Sequence, residues 1–184
     1  KAGGELWFAW DKGALQSASL RLNAPQLTGA YAERKPITLK NLALNANLQR
    51  SDDGLRVQLD SLAMNLGETR WESRLQVQQK RADDPAQEVW NLQADRLDLT
   101  PITPVLDALV PLPEGVAKAV DSLKVTGALR NVLLDVRPQA TGDQRLSFAA
   151  NLERVGFDAY HGAPAARNVT GSISGDLGQG ELRM

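Results

Sequence analysis

Residues 37–66 read ITLKNLALNANLQRSDDGLRVQLDSLAMNL, and they contain the same hydrophobic pattern twice. Apolar residues alternate with polar ones, the alternation slips by one residue, and it then continues in the other phase. The slip falls at Lys40-Asn41 in the first copy and at Asp60-Ser61 in the second. Alternation with a period of two predicts β-strands with one apolar face. The turn-forming sequence Ser51–Gly54 between the copies predicts a hairpin.

The same one-residue slip recurs in most of the remaining apolar segments. It falls at Asp95-Arg96, Arg130-Asn131 and Glu153-Arg154, and a weaker copy runs through residues 15–22. In a flat strand the slip would turn every later side chain to the opposite face of the sheet. A β-bulge restores the original face and bends the strand. Alternatively, each strand crosses at the slip from one packed layer to another, as at the corner of a sandwich.

The lengths of these segments and the turns between them predict the topology. Segments of about 12 residues give strands roughly twice the usual length. Arg81–Pro85 has the composition of a second hairpin turn, and Gly175–Gly180 is typical of a glycine-rich turn between two strands. The sequence therefore predicts a mainly β fold, in which long, bulged, twisted antiparallel strands form an open, groove-like sheet as a meander.

One interruption of the strand pattern, at residues 103–123, has helical character. Thr103 followed by Pro104 is typical of a helix N-terminus, and apolar residues recur at helical spacing on both sides of Pro111–Pro113. This pattern predicts two short helices that cap one end or edge of the sheet. Because the chain opens inside a strand-like sequence and stops without a terminating signal, residues 1–184 are expected to be a single segment of a larger protein.

Composition argues against several classes of function. Lys and Arg number 21 against 22 for Asp and Glu, so the chain has no basic excess of the kind that nucleic-acid binding requires. The absence of cysteine removes disulfides, thiol nucleophiles and cysteine-bound zinc, and one histidine leaves no histidine-rich metal site. We therefore expect no metal, no cofactor and no nucleic-acid partner. No apolar run approaches the roughly 18–20 residues of a membrane-spanning helix.

The candidate catalytic groups have simpler structural interpretations. The carboxylate pairs Asp52-Asp53 and Asp83-Asp84 lie in turn-forming sequence, where adjacent side chains point apart. His161 lies in a segment typical of a connecting loop, so a hydrolase that uses it is disfavoured. No catalytic residue is predicted. The tryptophans are interpreted as strand-edge anchors of the core rather than a stacking platform: Trp7, Trp10, Trp71 and Trp90.

The feature that points to a function is the amount of aliphatic surface on long strands, which two short helices are too small to cover. If the sheet stays open as a trough, its cover is an apolar ligand or a partner. If the sheet folds onto itself as a closed β-sandwich, the protein is a scaffold or assembly module that binds protein partners through its strand edges. The residues expected to line the trough are Ile37, Leu39, Leu42, Leu44, Leu55, Val57, Leu59, Leu62, Met64, Leu66, Leu97, Leu99, Leu129, Val132, Leu134, Val136, Phe148, Leu152 and Val155.

Two pairs of motifs resemble a known family. Residues 96–106 (RLDLTPITPVL) are followed by 120–132 (VDSLKVTGALRNV), and residues 148–155 (FAANLERV) are followed by 168–175 (NVTGSISG). In this order they resemble the AsmA-like family and, within it, the YhdP type. The resemblance covers most of the chain.

The resemblance implies a fragment of a periplasmic β-groove that belongs to a large, inner-membrane-anchored protein of Gram-negative bacteria. Proteins of this kind are thought to bridge the inner and outer membranes and to conduct phospholipids along an apolar interior. The resemblance thus implies a non-catalytic lipid conduit. Its partners would be phospholipid acyl chains, the rest of its own parent chain and other envelope proteins.

Overall fold

The computed structural model describes residues 2–29, 36–84, 87–100, 122–160, 162 and 164–184, and most of them lie in β-strands. The strands are β1 (Gly3–Asp11), β2 (Ala14–Gly29), β3 (Ile37–Ser51), β4 (Gly54–Leu66), β5 (Thr69–Lys80), β6 (Val89–Asp98), β7 (Thr126–Val136), β8 (Leu146–Phe157), β9 (Ala166–Asp176) and β10 (Gly180–Arg183). A 3-10 turn at Asp143–Arg145 precedes β8.

Within the described residues, the ten strands form one open antiparallel sheet in which each strand pairs with its neighbours in the sequence. The predicted meander is therefore confirmed. The β3–β4 hairpin closes at Ser51–Gly54 and the β9–β10 hairpin at Gly175–Gly180, as predicted. The strands are long, since β2 and β3 have 16 and 15 residues. The closed sandwich is wrong for this part of the chain, because β1 and β10 are the two edges of a single sheet.

Register shifts in the strand pairing lie at most of the predicted slips. Asn41, Asn131 and Arg154 each have a φ of 51° with a register shift beside them. Another shift surrounds Asp60, and one between β1 and β2 leaves Gln16 without a pair inside the weaker copy of the pattern. Asparagine suits such positions, because it tolerates the left-handed region better than most residues.

These bulges keep both phases of a strand on one face. Leu39 and Leu42 flank the bulge in β3 and pack in the same hydrophobic cluster, and Leu59 and Leu62 flank the bulge in β4 and pack in that cluster as well. The bulge interpretation is therefore confirmed, and the alternative in which strands cross between layers is wrong. Each bulge also bends and twists its strand.

The slip at Asp95-Arg96 is accommodated without a register shift. The ladder between β5 and β6 ends at the pair Leu75–Ala94, whereas the ladder between β6 and β7 continues to Asp98. Residues Asp95–Asp98 of β6 thus have no backbone ladder to Thr69–Arg74 of β5. We call the interval between these two strand segments the seam.

Side chains hold the seam together. The backbone N–H of Arg74 donates to Asp95 Oδ1 at 2.7 Å, and Ser73 Oγ lies 2.6 Å from the Arg96 carbonyl oxygen and 3.0 Å from Asp95 Oδ1. Partial burial raises the pKa of Asp95, but the Arg74 N–H and the Ser73 hydroxyl lower it more, so this pKa lies below its ordinary value. The Asp95 carboxylate therefore takes the place of a backbone acceptor across the seam.

Replacing Asp95 by alanine is expected to loosen the seam. The variant removes the acceptor of the Arg74 N–H, so we expect hydrogen exchange at that amide, measured by NMR, to become at least about 10-fold faster. Asp60→Ala is a matched control, because Asp60 accepts hydrogen bonds from the side chains of Asn47 and Gln58. Equal exchange rates at Arg74 in the two variants would show that Asp95 does not hold the seam.

The connections between strands alternate between two ends of the sheet. We call upper the end at which β1, β3, β5, β7 and β9 finish, and lower the end at which β2, β4, β6 and β8 finish. Residues 99–100 and 122–123 at the lower end have helical backbone. The two helices predicted near 103–123 otherwise lie outside the described residues.

The tryptophans differ in their burial. Trp71 in β5 is 3% exposed and is a core anchor, as predicted. Trp90 is half-buried, and its Nε1 donates to Glu88 at 3.1 Å. The interpretation is wrong for Trp7 and Trp10, which are 54% and 61% exposed. They lie in the edge strand β1, which packs against one neighbouring strand instead of two.

Candidate functional site

One face of the sheet carries rows of apolar side chains that lie directly opposite one another on neighbouring strands. The upper row consists of Ala18, Leu48, Val57, Val77, Leu92, Leu134 and Phe148. The middle row consists of Leu6, Leu20, Ala46, Leu59, Leu75, Ala94 and Val132. Residues opposite one another in a ladder share a face of the sheet. We call this continuous surface the apolar face.

Burial divides the apolar face into a covered part and an accessible part. One buried cluster comprises Ala24, Leu39, Leu42, Leu62, Met64 and Trp71, and a second comprises Ala94, Val132 and Ala150. Every member of the upper row is only half-buried. A molecule could therefore lie along the upper row without displacing the buried clusters.

The structure brings most of the predicted lining residues onto the apolar face. Leu152 lies opposite Leu129 and is buried, as is Val155, while Leu55 and Val136 are half-buried near the upper end. The others belong to the rows, to the buried clusters or to their packed neighbours: Ile37, Leu39, Leu42, Leu44, Val57, Leu59, Leu62, Met64, Leu97, Leu129, Val132, Leu134 and Phe148.

Two of the predicted lining residues are not placed on the apolar face, for different reasons. Leu99 follows β6 and has helical backbone, so it does not belong to a strand of the sheet. The side chain of Leu66 lies outside the described part of the structure. The predicted lining omitted nine residues of the rows: Leu6, Ala18, Leu20, Ala46, Leu48, Leu75, Val77, Leu92 and Ala94. Leu75, Val77 and Leu92 alternate with polar neighbours, and this alternation was the signal that could have identified them.

The middle of the opposite face of the sheet is polar, and Trp7 and Leu133 lie at the two ends of its central row. Ser19, Asn47, Gln58, Gln76 and Gln93 lie directly opposite one another on five neighbouring strands. Asn47 Nδ2 and Gln58 Nε2 each donate to the Asp60 carboxylate at 2.5 Å. The sheet thus separates an aliphatic side from a side whose amides and carboxylates hydrogen-bond with one another.

An ion-pair network joins β6, β7 and β8 at the bulges. Arg96 and Arg130 lie directly opposite one another, and the Glu153 carboxylate pairs with both of them, at 3.2 Å from Arg96. The hydrogen bond from Arg130 lowers the pKa of Glu153, although desolvation raises it. The hydrogen bond to Asp98 in turn raises the pKa of Arg96. Glu153 therefore offsets the repulsion between two like charges in adjacent strands.

The candidate catalytic groups that the structure describes lie in exposed connections between strands. Asp52 and Asp53 are exposed in the β3–β4 turn, and Asp83-Asp84 are exposed after β5, while His161 lies outside the described residues. In the part of the chain that the structure describes, no group of three or more metal-ligating side chains is present. Likewise, none of the helical residues described there forms a helix with the length and apolarity to span a membrane.

Bulged strands, a single open sheet, an aliphatic face and a polar face define a groove-like open β-sheet protein. Its distinctive surface is an extended apolar face rather than a pocket with reactive side chains. A family model described as YhdP protein matches residues 1–184, and the chain belongs to the YhdP family. This match confirms the resemblance to the AsmA-like family and identifies a lipid-transport-related protein of the cell envelope. No curated protein and no solved structure matches the chain.

Proposed function

We propose that the chain is a segment of a lipid conduit that carries phospholipids between the inner and outer membranes of a Gram-negative envelope. Acyl chains lie against the apolar face in the periplasm, and head groups remain in water. The parent protein is anchored in the inner membrane. The observation that carries the proposal is the apolar face itself, whose upper and middle rows cross successive strands without a polar side chain.

The dimensions and energetics of the rows suit an acyl chain. Strands are spaced about 4.8 Å apart, so a row from β2 to β8 is about 29 Å long. Each buried methylene contributes about 0.8 kcal/mol, so a 16-carbon chain on such a surface recovers on the order of 12 kcal/mol of its transfer cost. Because this energy is spread over many interchangeable aliphatic contacts, a lipid can move along the face without leaving one strong site.

The proposal assigns no catalytic residue, no metal and no cofactor. The YhdP family is a transport-type family without enzymatic activity. A conduit needs contacts that tolerate different chains, and Leu, Val and Ala in the rows supply these without directional bonds. No single residue of the rows should therefore be essential for transport.

Binding of an apolar dye tests the proposal in vitro. We expect the folded chain to bind N-phenyl-1-naphthylamine, and we expect Val57→Asp combined with Leu134→Asp to weaken binding at least about 10-fold, because a carboxylate in an apolar site is unfavourable. Both residues are half-buried in the upper row.

The matched control combines Gln58→Asp with Asp135→Asn, which changes neighbouring residues on the polar face. Fluorescence titration measures the affinities, and circular dichroism checks that each variant is folded. A folded chain that does not bind the dye, or equal losses in the two double variants, would contradict the proposal.

A further inference from the structure

Trp71 carries a buried hydrogen-bond donor without a partner. Its side chain packs in the first buried cluster with Leu62 and Met64 and is 3% exposed. Within the part of the chain that the structure describes, the indole Nε1 has no hydrogen-bond partner. Buried indole N–H groups usually find an acceptor, and leaving one unpaired is destabilising. The orientation of Trp71 therefore needs an explanation beyond packing.

The hydrophobic side chains packed with Trp71 carry no acceptor: Ala24, Leu39, Leu42, Leu62 and Met64. Asn65 Oδ1 is also buried without a partner and follows Met64, which lies opposite Trp71, but it makes no hydrogen bond with the indole. A bound molecule is one source of the acceptor that the indole N–H lacks. A molecule that enters an aliphatic surface and still carries a good acceptor has an apolar body with one oxygen function. An acyl ester has this chemistry, since its carbonyl oxygen sits at the end of a hydrocarbon chain.

Trp71 also lies beside the seam, where side-chain contacts replace the backbone ladder. It belongs to Thr69–Arg74, the part of β5 that has no ladder to β6. The two buried clusters fall on opposite sides of the seam, and Leu75 and Leu97 pack against both. Because a few side-chain contacts replace backbone pairing here, the two strand segments at the seam can separate. An acceptor can then reach the covered indole N–H of Trp71.

We infer that Trp71 is the polar anchor of the apolar face: its indole N–H donates to the ester carbonyl oxygen of a glycerophospholipid that enters at the seam. The inference rests on the proposed function and adds to it one specific hydrogen bond that holds the lipid. Acyl chains slide over the aliphatic rows, and the ester group is held where it meets Trp71. A lipid without an ester carbonyl lacks this contact.

NMR spectroscopy of the indole groups tests this inference directly. The chain has four tryptophans, so a nitrogen-15 spectrum has four indole signals, which Trp→Phe variants assign. Two probes with the same head group and chain length are compared: diheptanoyl phosphatidylglycerol, which has ester carbonyls, and its dialkyl ether analogue, which has none. We expect the ester lipid to move the Trp71 indole proton downfield and the ether lipid to leave it nearly unchanged.

Affinities of Trp71→Phe give the second readout. We expect this variant to bind the ester lipid about 2- to 10-fold more weakly and to bind the ether lipid with unchanged affinity, because one neutral hydrogen bond is lost. Equal weakening for both lipids would show a packing role only and overturn the inference. Ester binding without a shift of the Trp71 signal would overturn it as well, and this result does not depend on the variant. If neither lipid binds, the proposed function itself fails.

Discussion

The free energy of unfolding is expected to fall by about 3–5 kcal/mol when Trp71 is replaced by alanine. Trp71 is the largest side chain of the first buried cluster and joins β5 to residues of β2, β3 and β4. Its removal exposes the apolar surface of the cluster and leaves a cavity that a bent sheet fills only in part. Urea denaturation followed by circular dichroism measures the loss.

The neighbouring residue Glu72 provides the control for this prediction. Its side chain is 62% exposed and pairs with Arg70 at the surface. Glu72→Ala is therefore expected to change the free energy of unfolding by no more than about 0.5 kcal/mol. A similarly small loss for Trp71→Ala would mean that the first buried cluster does not hold the sheet together.

Gly127→Ala is expected to lower the free energy of unfolding by about 2–4 kcal/mol. Gly127 in β7 has a φ of +90°, and a Cβ at this position would meet the Arg154 carbonyl group of the bulge in β8. Both the left-handed backbone and the close approach of the neighbouring strand thus require glycine. The same denaturation experiment measures this loss.

Gly67→Ala separates the two causes. Gly67 has a φ of +62°, but nothing lies within 4 Å of an added Cβ. This variant should lose about 1 kcal/mol from backbone strain alone. If Gly127→Ala costs no more than Gly67→Ala, the close approach between β7 and the bulge in β8 is not a constraint on the fold.

The alternation of apolar residues was sufficient to predict most of the bulges and the face they preserve. At a slip such as that at Lys40-Asn41, the apolar residues change from one alternating phase to the other. A bulge is the local structure that keeps both phases on the apolar face. The bulge at Asn168 was not predicted, because β9 has only a few apolar residues and shows no slip.

The seam could not be predicted from the same pattern. Asp95-Arg96 looks like the other slips in sequence, yet the structure ends a ladder there instead of shifting its register. Alternation reports the face of a side chain but not whether the neighbouring strand remains paired. The exposure of Trp7 and Trp10 has a related cause, since residue type indicates apolarity but not position at the edge of a sheet.

The candidate functional surface was predictable for another reason. It consists of many similar side chains, so a missed residue such as Leu92 or a misplaced one such as Leu99 changes little. The anchor proposed at Trp71 depends on one buried N–H group of the described residues that makes no hydrogen bond, which no sequence pattern reports. Periodicity identifies a surface, whereas a single hydrogen-bonding position requires coordinates.

Photo-crosslinking in cells tests the lipid-conduit proposal most directly. Benzoyl-phenylalanine is placed at Val57 or Leu134 in the upper row, and at Gln58 or Asp135 on the polar face, in the protein as it is expressed in the cell envelope. We predict phospholipid adducts at Val57 and Leu134 and none at Gln58 and Asp135. Adducts at none of the four positions in a folded, expressed protein, or equal adducts at all four, would contradict the proposal that acyl chains travel along the apolar face.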